Sequence, residues 1–155
     1  MVKGIKSYKM KTRRGVFAVV VDKKGNLLVL RRVHNWKGWE VPKGGIDGKY
    51  SEKKCLEEEL WEELGLRKKG YTVIGRSKHV MKFTYPPSYQ KQWKVKDAKI
   101  RGWAIKTKTR RITFKNNPVK EHDGYKWLPM AKALKLLSYA NQRKAVKAVV
   151  NQFGL

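Results

Sequence analysis

The chain has 155 residues, with 38 Lys and Arg against 12 Asp and Glu, for a formal charge of +26. That length sustains one domain with one core, and 41% hydrophobic content is ordinary for a globular protein. No apolar run approaches the ~20 residues of a membrane-spanning helix. The opening Met1-Val2-Lys3-Gly4-Ile5-Lys6 has no secretory hydrophobic region, and a single cysteine, Cys55, excludes an internal disulfide and suits a reducing cytoplasm. A single domain over 1–155 is expected, with 1–12 as a basic N-terminal extension.

In chain order, residues 13–33 read as a hairpin. A β-branched run at 16–21 is followed by a polar turn, Asp22-Lys23-Lys24-Gly25-Asn26, and an apolar return at 27–30. Residues 36–45 then lead into a glycine loop, and a helix follows. Ser51 fits its N-cap and Gly65 its C-terminal cap. Leu56, Leu60 and Leu64 recur at i, i+4 and i+8, an apolar stripe that faces a core, flanked by Cys55 and Trp61. Cys55 is therefore read as a buried thiol.

Glu59, Glu62 and Glu63 stand at i, i+3 and i+4 on one face of this helix. Like charges at that spacing destabilise a bare helix. A divalent ion that prefers oxygen ligands would relieve them. The plainer alternative is a solvated acidic face balanced by the basic remainder of the chain.

Residues 71–75 read as a strand. The segment 83–93 reads as a polar, aromatic loop, because Pro86-Pro87 argues against a central strand. Tyr85, Tyr89 and Trp93, interleaved with Lys91, suit the stacking of bases beside phosphates, or else simply fill space over the core. A further strand is expected at 97–105. Pro129 suits a first helical turn, and the apolar positions between Ala133 and Val150 predict one broken helix or two short ones. From Arg67 to Lys120, Asp97 is the only acid in a dense run of lysines and arginines. Such a field attracts polyphosphates and nucleic acid, although the same charge also serves solubility alone.

The segment from Gly44 to Leu66 resembles the Nudix box, G-x5-E-x7-R-E-U-x-E-E-x-G-U, where U is bulky and apolar. Gly44 is the first glycine, Glu59-Leu60-Trp61-Glu62-Glu63 the E-U-x-E-E core, and Gly65-Leu66 the close. Tyr50 stands at the box glutamate and Glu58 at the box arginine. Upstream, Trp36 to Gly45 resembles the W-x-x-P-K-G-G lead-in of the branch that cleaves dinucleoside tetraphosphates or trims RNA 5′ ends. Downstream, 97–105 is similar to that branch's G-Q-x-Q-x-W-F strand, with Lys99 and Arg101 in place of glutamines and Trp103 kept. Glu121-His122-Asp123-Gly124-Tyr125-Lys126-Trp127 is similar to its E-H-x-x-Y-x-W segment.

The resemblance implies an α+β fold, a mixed sheet in an α/β/α sandwich. It implies Mg²⁺ or Mn²⁺ held by Glu59, Glu62, Glu63 and the Gly44 carbonyl, with Glu59 or Glu121 as the general base. It further implies that Lys43 meets a phosphate oxygen, that His122 contacts a phosphate or base unless it is purely structural, and that Trp36, Tyr85, Tyr89 or Trp93 stacks a base. The reaction implied is hydrolysis of a phosphoanhydride in a dinucleoside polyphosphate or an RNA 5′ end. A rival expectation is a scaffold that has lost its chemistry and binds RNA as a ribonucleoprotein component, favoured by Tyr50, Glu58 and the charge. Glu58 adds negative charge to the acid cluster: if the box is a handicapped active site, restoring arginine there raises turnover, and unchanged inactivity counts against the enzyme.

Overall fold

A computed structural model of the chain describes residues 10–46, 48 and 51–155; Tyr50 lies outside them, as does most of the N-terminal extension. Seven strands, β1 (Lys11–Val21), β2 (Leu27–Arg32), β3 (Gly38–Glu40), β4 (Lys43–Gly45), β5 (Tyr71–Thr84), β6 (Val95–Thr107) and β7 (His122–Leu128), form one sheet. Four helices accompany it: α1 (Glu52–Leu64), α2 (Pro87–Trp93), α3 (Met130–Leu136) and α4 (Ala140–Phe153). The strands run in the order β3-β2-β1-β6-β5, with β4 also on β1 and β7 also on β2. β1 and β6 pair in parallel and the other pairs are antiparallel, so the sheet is mixed and the class is α+β, as expected.

The predicted hairpin closes only at its turn. Asp22 Oδ1 accepts from the backbone of Lys24 and Asn26, which holds the turn, but the register between β1 and β2 is the single pair Val21↔Leu27. Beyond it the strands part. β4 inserts on β1 through Gly15↔Gly45, Val16↔Gly44 and Phe17↔Lys43, while β2 turns to β7 and β3. The sheet therefore splits, and the glycine strand sits in the split.

Both faces of the sheet are covered. On one, α1 lays the fully buried Leu56, Leu60 and Leu64 on Val16, Ala18, Val20, Leu28, Leu30, Trp103 and Ile105. Each of those leucines contributes about 1.5–3 kcal/mol of burial. On the other, α3 and α4 bring Ala133, Leu137, Val146 and Val149 against Phe17, Val19, Val29 and Ala104. Ser51 Oγ accepts from the Lys54 amide at 3.2 Å, and Gly65 adopts φ +70 as its amide returns to Trp61, so both ends of α1 stand where the sequence placed them. Cys55 is buried.

Two boundaries differ from the sequence reading. Phe83 and Thr84 close β5, and 87–93 is a short helix rather than loop, with Pro87 in its first turn and Lys94 at φ +56 ending it. Proline there lacks only an amide that a first turn leaves unbonded anyway. The terminal segment resolves into two helices, α3 beginning directly after Pro129.

Candidate active site

The helix face and the glycine strand meet at close quarters. A Cβ on Gly44 would fall on the Glu59 carboxylate, and one on Gly45 would fall on the Arg13 guanidinium. Both positions must stay bare for those side chains to lie flat on β4. Gly15 likewise lets the Gly44 carbonyl approach β1.

Along α1 the three box acids differ in exposure. Glu62 is exposed on the rim, Glu59 is half-buried, and Glu63 is only 4% exposed. Burial, with the charges of Glu62 and Glu121 added, pushes Glu59 up to about 7; a hydrogen bond with Glu63 and the Arg13 guanidinium partly offset this. Burial also drives Glu63 well above the usual carboxylate range, helped by Glu59, by a hydrogen bond shared with Glu121, and by Glu40. Glu63 Oε2 is buried with no hydrogen-bond partner among the described residues. Carboxyls crowded this tightly hold protons that a cation would displace.

Glu121, arriving just before β7, and His122, its first residue, complete the cluster. One ligand atom each from Glu63, Glu121 and His122 lies within 4.8 Å of the others. His122 is buried, and its Nε2 sits 2.8 Å from Glu40 Oε2. Glu40 accepts further from Arg32 and Lys43, at 3.1 Å each. Burial alone would raise Glu40, but the His122 hydrogen bond and the Lys43 and Arg32 charges outweigh it and hold it at about 2. Glu40 is thus an ionised acceptor, and His122 donates to it through Nε2. Nδ1 then faces Glu63 Oε2 at 3.8 Å. A histidine fixed by a carboxylate at one nitrogen and open at the other is the usual arrangement behind a metal ligand.

The remaining predicted residues flank this cluster. Lys43 Nζ, bound to Glu40, lies 5.2 Å from the Trp36 ring centre, and Arg32 stacks on that ring at 4.0 Å. Trp36 is 41% exposed. On the other flank Tyr85 stacks on Tyr89 at 4.3 Å and shares a hydrogen bond with Arg13. Trp93, 6.2 Å beyond Tyr89 and 58% exposed, ends the ladder.

Sequence reasoning gave no role to Glu40, Arg32 or Arg13. A signal existed for Arg32: strand alternation from Leu28 and Leu30 puts it on the α1 face, where a buried arginine needs an acid. Glu58 lines a groove of α1 with Lys54, Trp61 and Arg67, and it stands one turn before Glu62.

The NUDIX domain family model matches residues 11–149. The chain belongs to the Nudix family. It is 28% identical over 156 residues to the RNA pyrophosphohydrolase of Saccharophagus degradans, covering 92% of this chain and 90% of that one. To the RNA pyrophosphohydrolase of Photobacterium profundum it is 26% identical over 122 residues, 75% of this chain and 69% of the relative. Among solved structures, a C. elegans Ap4A hydrolase binary complex superposes with a TM-score of 0.69 at 19% identity, covering 92% of this chain and 98% of that one. The E. coli dihydroneopterin triphosphate pyrophosphohydrolase reaches 0.74 at 18% identity, covering 92% and 99%. The sandwich is thus the fold of the Nudix family.

Proposed function

We propose that this Nudix protein is a divalent-metal-dependent hydrolase that cleaves a phosphoanhydride at the 5′ end of an RNA or in a dinucleoside polyphosphate. The observation that carries this reading is the cluster of Glu59, Glu63 and Glu121 with the orphaned Glu63 Oε2. Carboxylate and carbonyl oxygens with one histidine nitrogen beside them fit Mg²⁺ or Mn²⁺. Glu59, Glu62, Glu63 and the Gly44 carbonyl would hold the ion, with His122 beside them. When bound, such an ion neutralises charge on the phosphates and lowers the pKa of water.

The chain's own residues supply the rest. Glu59 or Glu121 accepts the proton of the attacking water, both being carboxylates within the cluster. His122 stays oriented through Glu40. Lys43, already at the rim, turns from Glu40 to a phosphate oxygen. Trp36, backed by Arg32, and the Tyr85–Tyr89–Trp93 ladder stack bases on either flank, a geometry that suits two nucleosides or a nucleotide and its neighbour in RNA. The work is placed in the cytoplasm, in keeping with a lone thiol. Among the described residues no helix is long and apolar enough to cross a membrane.

The charge of +26 favours one rival, an RNA-binding scaffold without chemistry. A substrate panel separates the two: 5′-triphosphorylated RNA, diadenosine tetraphosphate, ADP-ribose and a deoxynucleoside triphosphate, in Mg²⁺ and in Mn²⁺. Turnover of RNA or the tetraphosphate that vanishes in a Glu62→Gln, Glu63→Gln double variant supports the hydrolase. Silence on every substrate, with salt-sensitive RNA binding retained, supports the scaffold.

A further inference from the structure

Among the described residues, α1 covers only part of its face of the sheet. On β1, Val16, Ala18 and Val20 lie under α1, and Arg14 is the next residue along that face. On β6, Trp103 and Ile105 lie under α1, and Arg101 and Lys99 continue past it. On β5, Met81 and Phe83 belong to the opposite core, so Lys82 shares the α1 face. The register then brings three cations into one row: Arg14 is the partner of Lys99 on β6, and Lys99 is the partner of Lys82 on β5.

All three are exposed, and none has a carboxylate within ion-pair distance among the described residues. Like charges on directly opposed strand positions destabilise a sheet. Arg101, one step along the face, is held by Glu52 at 3.9 Å and by the Ser77 and Lys78 carbonyls, so the row begins where the last local acid of α1 is used up. Among the described residues Asp97 is the single acid on the other side, against three cations. Neighbouring strands stand about 4.8 Å apart, so the row spans about 10 Å. That is the extent of a stretch of backbone, not of one ion.

We propose that the Arg14–Lys99–Lys82 row is a docking surface for the phosphodiester backbone of single-stranded RNA. It deepens the RNA reading of the active site. The amide of Ile46 donates to the Arg14 carbonyl at 2.8 Å, so the loop that carries the chain from β4 into the box helix starts beside the row. An RNA lying along Arg14, Lys99 and Lys82 has its end beside Ile46, at the close of the strand whose Gly44 lies against Glu59. Lys99 and Arg101 are also the two positions at which the strand departs from the branch's glutamines. Specific charge, rather than overall charge, is what this surface adds.

The test measures binding of a 5′-hydroxyl single-stranded RNA by fluorescence anisotropy, in chelator and over a salt series, so that catalysis plays no part. The triple variant Arg14→Gln, Lys82→Gln, Lys99→Gln is set against Lys132→Gln, Lys135→Gln, Lys144→Gln, three exposed lysines of α3 and α4 with the same loss of charge. The row variant is expected to lose at least about tenfold in affinity and to flatten the log–log salt slope by about 2, three contacts at about 0.7 each. The control should stay within about threefold of wild type. Equal losses in both triples, or no loss in the row variant, overturn the proposal. Melting temperature guards against misfolding: relieving a like-charge row leaves it no lower than wild type. The row variant should also hydrolyse diadenosine tetraphosphate at the wild-type rate. A chain that binds RNA through the row yet hydrolyses nothing would uphold this surface and refute the hydrolase.

Discussion

Glu40 illustrates how the site is organised at the scale of single residues. Its carboxylate takes His122, Arg32 and Lys43 at once, and a buried ion survives only with such company. Glu40→Gln keeps the shape and removes the charge that fixes the His122 ring. Supporting residues of this kind are worth 10–100-fold in metal affinity, so the Mg²⁺ concentration for half-maximal turnover should rise by about that factor. An unchanged metal requirement would put His122 outside the metal centre. Glu59 gives a second residue-scale prediction, for the metal-free chain. An acid whose pKa rises on folding adds stability below its unfolded value, near 4.5, and loses it as pH climbs through the folded value, here about 7. In chelator the melting temperature should therefore fall between pH 5 and pH 8, and Glu59→Gln should flatten that fall. A steeper fall in the variant would contradict the assignment.

At the scale of elements, β4 and α1 act as one unit. Gly44 leaves room for Glu59, so Gly44→Ala should displace that carboxylate while the strand still pairs with β1. A misplacement near 1 Å costs on the order of 100-fold in turnover, which steady-state kinetics on a folded variant would measure. Helix α1 also carries Glu58 one turn before Glu62, so Glu58→Arg sets a cation beside the acids where the wild-type chain has a further negative charge. Turnover should rise in that variant, which steady-state kinetics would measure, and unchanged inactivity would count against the hydrolase.

Local pattern carried much of this. Ser51, the leucine stripe, Gly65 and the spacing of Glu59, Glu62 and Glu63 are properties of one helix, and a helix is written in consecutive residues. What escaped the sequence depends on pairing between distant strands. Val21↔Leu27 closes the turn, but the parting of β1 and β2 comes from β4 competing for the β1 edge, which no short window encodes. Arg13, Arg32 and Glu40 acquire their roles only after that split forms. Helix α2 is hidden differently: Pro86-Pro87 marks both the end of a strand and the start of a helix, and the local residues do not choose between the two.

Across the whole molecule, the charge is divided in a way that serves a polyanionic substrate. Six of the 12 acids stand on α1, and the tract from Arg67 to Lys120 is basic but for Asp97. On the proposed reading, the acid cluster is where a cation would enter an otherwise strongly positive protein. Mn²⁺ added to the purified chain, followed by electron paramagnetic resonance, tests this most directly. The free-ion signal should be quenched with at least one Mn²⁺ bound per chain, and the quenching should disappear in a folded Glu59→Gln, Glu63→Gln variant. Mn²⁺ that stays free beside the wild-type chain, or that binds the variant equally well, would contradict the metal centre on which the hydrolase reading rests.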